Sequence, residues 1–260
     1  MKAVATFLLV ICCIAISHAW SCKEAPRLYN VEQIDAGNGM VVGRDRYNRG
    51  YFLARNSWYS LGSTYFKHLT VGPAGLWGVS TTSKVYKYIA GNFVQANGIT
   101  MHQVDAGGNG QLAAVSSSLS ATYCLRSSYA QRFKATSTLS WSSLSIRMKY
   151  ISCNQYGCWG IDSSSRLYFR QVSPTTCSGG SWRQISHVGT PKIIETGSDG
   201  TVFLLTTSGK VYQRNGVSSG CPYGTSWSTV SMCMPISHLS YDLGNLWVVT
   251  NAKFLLQCTH

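Results

Sequence analysis

Residues 101–110 read MHQVDAGGNG. Apolar and polar side chains alternate, then glycines and an asparagine follow, which is the pattern of a short strand running into a tight turn. The same pattern returns at 31–39 (VEQIDAGNG), 66–75 (FKHLTVGPAG), 148–157 (MKYISCNQYG), 191–200 (PKIIETGSDG) and 236–244 (ISHLSYDLG). The closing glycines fall at 39, 75, 110, 157, 200 and 244, giving intervals of 36, 35, 47, 43 and 44 residues. Periods of this size belong to arrays of small supersecondary units.

Working outward, each turn leads into a second apolar strand, at 40–43, 76–79, 112–115, 158–161, 201–205 and 245–249. A polar turn then precedes a third strand, at 51–53, 84–88, 121–125, 166–170, 210–214 and 253–257. Five units continue into an aromatic-led fourth strand, at 58–61, 93–96, 141–144, 182–185 and 227–230. Four short strands per unit predict an all-β, six-bladed β-propeller. The sixth unit lacks a fourth strand, and residues 22–29 precede the first unit with no blade of their own. The N-terminal strand is therefore expected to complete the last blade, with Cys22 facing Cys258 and a disulfide tying the two chain ends.

Composition agrees with this reading. Charged residues are 12% of the 260, about half the usual share, and hydrophobic residues are 45%. That apolar content excludes wholesale disorder. The 25 Gly, 15 Tyr and 8 Trp argue against a long helical bundle. At the N-terminus, Lys2, an apolar run over 4–16 and Ser17-His18-Ala19 form a secretory signal pattern. The apolar run is shorter than the roughly 20 residues that span a hydrocarbon core. The expected division is a signal peptide at 1–19 and one propeller domain at 20–260, secreted, with no transmembrane segment. Cleavage would lower the formal charge of +13 by the one charge of Lys2, to +12.

Eight cysteines would remain, an even number that suits disulfides in an exported chain. No CxxC pair or His at zinc-ligand spacing competes. Cys153 and Cys158 flank a turn, Cys221 and Cys233 bracket one insertion, and Cys124 and Cys177 are left. The expected set is thus Cys22–Cys258, Cys153–Cys158, Cys221–Cys233 and Cys124–Cys177, one of about 105 possible pairings.

The segments IDAGNG (34–39), VGPAGLWGV (71–79), VDAGGNG (104–110), CWGI (158–161) and SYDLGNLWVV (240–249) resemble tectonin repeats. The chain from Cys22 to Cys258 is similar to the fish egg lectins of the tectonin family. It departs from that pattern at 112–115 (LAAV) and 203–205 (FLL), where other units carry Trp-Gly. The resemblance implies a secreted β-propeller of egg protection and innate defence. It also implies binding of N-acetylglucosamine-type sugars and bacterial surface glycans such as lipopolysaccharide and peptidoglycan, and in some members calcium. A calcium ion would draw on Asp199 in Gly197-Ser198-Asp199-Gly200, and less directly on Asp162.

Sugar recognition needs polar partners on a rigid rim and an aromatic wall. Asp35, Asn38, Asp105, Asn109, Asn154 and Asp199 recur at equivalent turns and are the expected sugar-binding residues, although turns favour Asp and Asn in any case. Trp77, Trp159 and Trp247 lie in apolar runs and are read as blade packing. The surplus of positive charge attracts anions in general, and Arg44, Arg46 and Arg49 form its densest group. The secretory signal argues against nucleic acid as a partner. A homo-oligomer is compatible with the sequence. Enzyme signatures are weak: Cys177-Ser178-Gly179-Gly180-Ser181 only superficially matches a serine-protease turn, there is no HExxH, and the nine acids supply no evident glycosidase pair. The expectation is a lectin and no enzyme, with a basic anion- or protein-binding scaffold as the alternative.

Overall fold

A computed structural model describes residues 20–119 and 121–260. The segment read as a signal peptide, 1–19, lies outside the described residues. Among the described residues the fold is almost wholly β, with one short helix at Ser127–Arg132. There are four four-stranded sheets and one eight-stranded sheet. The larger one joins two repeats through a single 16-residue strand, Ser57–Gly72. Its first part pairs with Arg49–Ala54 as the outer strand of the first repeat. Its second part pairs with Gly75–Ser80 as the opening strand of the second repeat. All pairings are antiparallel except that of Ser137–Thr138, which runs parallel to Asn92–Asn97 and brings an insertion of the third repeat onto the edge of the second.

The opening strands of successive repeats pack against one another, and the first packs against the last, so they form a closed ring. A recurrent hydrogen bond explains the repeat motif. Asp35 Oδ1 accepts the Val71 N–H at 2.8 Å, and Thr70 Oγ1 accepts the Ala106 N–H at 3.0 Å. Asp105 Oδ2 accepts the Cys153 N–H at 2.9 Å, and Ser152 Oγ accepts the Thr196 N–H at 3.2 Å. Ser240 Oγ closes the circuit by accepting the Ala36 N–H at 2.9 Å. Gln33 and Gln103 add two-pronged bonds to the backbone of Leu69 and Ile151, with each Nε2 donating at 2.6 Å and each Oε1 accepting at 2.9 Å. At five of the six junctions an opening strand thus presents an acceptor that satisfies its neighbour's otherwise buried backbone donor.

The glycine two residues after the acceptor has a steric reason. A Cβ on Gly37 would lie 2.1 Å from Val71 O, and one on Gly72 would lie 2.1 Å from Ala106 O. Only glycine lets neighbouring strands approach this closely. Farther out, Trp77 and Trp159 are fully buried and Trp247 is 7% exposed. At the periphery the outer-strand tryptophans reach back to the preceding unit. Trp58, Trp182 and Trp227 donate their indole N–H to Pro26 O, Leu144 O and Ser186 O at 2.8, 2.8 and 2.9 Å. Each such bond contributes about 1 kcal/mol.

At the opposite end of the second strands, Asp45, Ser80, Ser116, Asp162, Thr206 and Thr250 share one task. Each accepts a backbone N–H from the following turn, four residues on in five units and five residues on at Ser116, at 2.8–3.2 Å. This local capping shapes all the turns between second and third strands alike.

Ser21–Glu24 pairs with Leu255–Thr259, placing Cys22 opposite Cys258, and a disulfide joins them across 236 residues of sequence. In the chain-entropy account, closing a loop of that length stabilises the fold by about 5 kcal/mol. Cys124–Cys177 ties the third repeat to an insertion of the fourth, and Cys153–Cys158 bridges a hairpin. The expected Cys221–Cys233 bond is not formed. Cys221 is held in its own turn by reciprocal backbone bonds with Ser218, its Sγ lies 3.6 Å from Gly224 O, and the strand Trp227–Val230 separates it from the exposed Cys233.

Gly72→Ala should destabilise the fold by about 1–3 kcal/mol through overpacking. Gly180→Ala, where nothing lies within 4 Å of the added carbon, should stay within about 0.5 kcal/mol of the parent. Urea denaturation of the two variants measures the difference.

Candidate functional site

The ring interior is densely packed with polar groups. Asp35, Asp105 and Glu195 are all buried. Burial, the charge of Asp105 and, more weakly, that of Asp242 push the Asp35 carboxyl well above the usual range. Burial raises Asp105 to about 7, although the N–H groups of Cys153 and Gly107 oppose the shift. Glu195 is raised well above its ordinary value by burial and by Asp35, and it accepts a hydrogen bond from the Tyr150 hydroxyl. Nearer the other end, burial and the charges of His238 and Arg44 hold His68 well below the ordinary imidazole range. Burial and Arg44 lower His238 to about 3. The His68 and Tyr150 rings, from the second and fourth repeats, meet edge to face at 6.2 Å, so side chains fill the axis.

The six residues expected to bind sugar divide into two groups. Asp35, Asp105 and Asn154 are corrected to structural positions. The two carboxyls hold the next opening strand, and Asn154 is 1% exposed and bridges to Gly200 O at 3.3 Å. Asn38, Asn109 and Asp199 are exposed on the turns between first and second strands. Asn109 leans toward Gln155 O at 3.5 Å. Asp199 accepts the Tyr241 hydroxyl at 2.9 Å and the Thr201 N–H at 2.8 Å. The positions share one rim, so the structure brings these three to a common face.

Two clefts were not anticipated from the sequence. The first, of about 180 Å³, lies at the ring-closure seam between residues 24–30 and 252–255. Ala25 and Leu28 are buried and anchor the segment, while Tyr29 and Phe254 stand 66% and 40% exposed. Arg27 stacks on the Tyr29 ring at 4.5 Å, and Glu24, Asn30 and Lys253 complete a polar lining. The second, of about 250 Å³, lies in the insertion of the third repeat, walled by Tyr129 and Phe133 and edged by Arg132, Ser137 and Thr138. An exposed ring beside fixed polar groups suits a pyranose, whose C–H face packs on the aromatic. Both clefts come from segments that break the repeat. The 47-residue interval and the bladeless N-terminal stretch were the available signals.

A family model described as Tectonin domain matches residues 30–251. The chain belongs to the tectonin domain family. The fish-egg lectin of Cyprinus carpio is 39% identical to this tectonin over 231 residues, which cover 88% of this chain and 95% of that protein. Among solved structures, a luciferin-regenerating enzyme superposes with a TM-score of 0.66 at 9% identity, covering 93% of this chain and 96% of the other. A gluconolactonase, XC5397 from Xanthomonas campestris, superposes at 0.65 with 11% identity, covering 92% and 89%. At such low identity these two likenesses speak for the fold alone: the tectonin is a β-propeller. Among its described residues no helix is long and apolar enough to cross a membrane.

The carboxylates expected to hold calcium do not fit that ion. Asp162 accepts the Arg166 N–H at 2.8 Å and its guanidinium at 2.7 Å. It closes a turn between second and third strands, whereas Asp199 sits on a first-to-second turn, at the opposite face of the tectonin ring. Among the described residues no group of three or more His, Cys, Asp or Glu converges on one point, while calcium takes about six or more oxygens.

The interior groups give opposing pH dependences. Asp105, raised from 3.8 to about 7, stays protonated when folded while the unfolded chain ionises, so stability falls as pH rises through that window. His238, lowered from 6.5 to about 3, stays neutral when folded, so stability falls as pH drops through that window. Asp105→Asn keeps an acceptor for the Cys153 N–H. It should remove at most about 4 kcal/mol of the stability lost between about pH 4 and 8. His238→Gln should flatten the acidic side instead. Denaturant titrations across this pH range check both slopes.

Proposed function

We propose that this tectonin is a six-bladed propeller acting as a secreted, non-catalytic lectin. Its ligands would be N-acetylglucosamine-type sugars, including those of bacterial surface polysaccharides such as lipopolysaccharide and peptidoglycan. The observation that carries this reading is the match over nearly the whole length of a protein named a fish-egg lectin. Six sequence repeats of four strands support the blade number, with the eight-stranded sheet counted as two blades sharing one long strand. Three disulfides suit an oxidising, extracellular setting.

The sugar contacts are assigned to the aromatic-walled clefts at Tyr29–Phe254 and at Tyr129, with Asn38, Asn109 and Asp199 as polar rim contacts. Several weak sites on one rigid ring would hold repeated surface glycans by avidity. Absence of catalysis is supported by the interior acids: Asp35 and Asp105 each hold a backbone N–H, and Glu195 holds a tyrosine hydroxyl.

On a glycan array at about 0.15 M salt, where surface charge is screened, binding should be competed by free N-acetylglucosamine. Tyr29→Ala and Tyr129→Ala should each weaken it about tenfold, the loss of one aromatic anchor. Failure of any amino sugar to compete would overturn the lectin reading, and release of free sugar from a chromogenic glycoside would replace it with an enzymatic one.

A further inference from the structure

The strand order sends every turn between second and third strands, and the start of every opening strand, to one face of the ring. On that face the repeat encodes positive charge twice. The residue whose backbone N–H is capped by Asp45, Ser80, Asp162 or Thr206 is Arg49, Lys84, Arg166 or Lys210 respectively. The backbone cap does not by itself dictate the side chain, yet four of the six units place a cation there; Asp45 and Asp162 also take the guanidinium of Arg49 and Arg166. Arg49 and Arg166 remain 52% and 54% exposed while paired with Asp45 and Asp162. Lys84 and Lys210 are exposed.

A second, inner set comes from the second residue of the repeat segments: Lys67, Lys149 and Lys192 are cations, and His102, held below the ordinary imidazole range by burial and by Lys67, occupies the same position as a neutral ring. Lys67 Nζ and Lys149 Nζ donate to Ser83 Oγ and Ser165 Oγ at 2.7 Å, which fixes them beside the outer circle. The acids on this face offset part of the charge, Asp45 and Asp162 pairing with Arg49 and Arg166, and leave Lys84, Lys210, Lys67 and Lys149 without an acidic ion-pair partner among the described residues. Asp45 and Asp162 are buried in their turns, and Glu32 pairs with Lys253 at 2.6 Å. Burial lowers the pKa of Lys67 and Lys192, so these cations are held against a cost that a bound anion would relieve. The seam cleft, with its exposed Tyr29 and Phe254, opens beside the same turns.

We propose that this face binds a linear anionic polysaccharide, with the two circles of cations taking its sulfate, phosphate or carboxylate groups. The recurring cations match a chain whose charges also recur, and the adjoining cleft offers a stacking surface for one of its sugar rings. The cations lie on the face opposite the amino-sugar rim at Asn38, Asn109 and Asp199; the seam cleft is shared with the lectin reading, but the charge pattern does not depend on it.

The test compares binding of the whole protein to dextran sulfate and to uncharged dextran of equal length, over a series of salt concentrations. Dextran sulfate should bind with an affinity that falls steeply and linearly on a log–log salt plot, and dextran should not bind. The double variant Lys84→Gln/Lys210→Gln keeps both backbone caps. It should weaken binding about five- to tenfold and shallow the salt slope by about two, one for each cation removed. Arg55→Gln/Lys134→Gln, on exposed positions away from that face, should change neither value. Phosphorylated and carboxylated dextrans at equal charge density then rank the anionic group. Equal losses in both double variants would overturn the proposal, as would tighter binding of a polynucleotide or of anionic vesicles at equal charge. Retention of dextran sulfate binding on an array where no amino sugar competes would sink the lectin reading and leave this one standing.

Discussion

A side-chain oxygen on one opening strand that accepts a backbone N–H of the next is the contact on which the ring depends. Sheets packed face to face through apolar side chains alone can slide, because hydrophobic contact has no direction. The bonds from Asp35, Thr70, Asp105, Ser152 and Ser240 fix the register at five of the six junctions between repeats. Their cost is the burial of the Asp35 and Asp105 carboxyls along the axis, seen in raised pKa values. The interior is therefore a structural device, and recognition is left to the rims and to segments that lie outside the repeat.

Ring closure follows the same logic at the periphery. Strand pairing between Ser21–Glu24 and Leu255–Thr259 supplies the sheet bonds, and Cys22–Cys258 makes that pairing hard to lose. The segment that follows is pinned by buried Ala25 and Leu28 and by the Trp58 indole on Pro26 O. Tyr29 is thereby presented on a rigid base, which is the condition for a stacking surface that loses little entropy on binding.

Most of the architecture was legible in the sequence because repetition amplifies weak local signals. One DAG or TVG segment is ambiguous, but six aligned copies reveal strand, turn and period together. The seam disulfide was legible for the same reason, since a missing fourth strand pointed to its substitute. The site was less legible. Asp35 and Asp105 looked like turn residues available to ligand, whereas Asp35 stands two residues inside its strand, Asp105 ends its strand, and both hold the next repeat. Only the close approach of strands at Gly37 and Gly72 reveals that, and it is a three-dimensional fact. Tyr29 and Tyr129 were missed because they lie where the repeat fails, and a reading built on periodicity discards such stretches; Phe254 was missed because it occupies a regular repeat position. Cys221 and Cys233 were paired by elimination, a method blind to the intervening strand Trp227–Val230.

The strand Ser137–Thr138 laid parallel on Asn92–Asn97 has a consequence for how copies of the molecule meet. An outermost strand with unpaired backbone groups is a template on which another chain can extend the sheet. By covering the second repeat's margin, the third repeat caps that growth point. It does so at the one repeat whose outer strand begins with Phe93 in place of a tryptophan that could reach back to the preceding unit. The insertion thus guards a border that would otherwise be open to fibre-like stacking, while its own helix supplies a wall of the Tyr129 cleft.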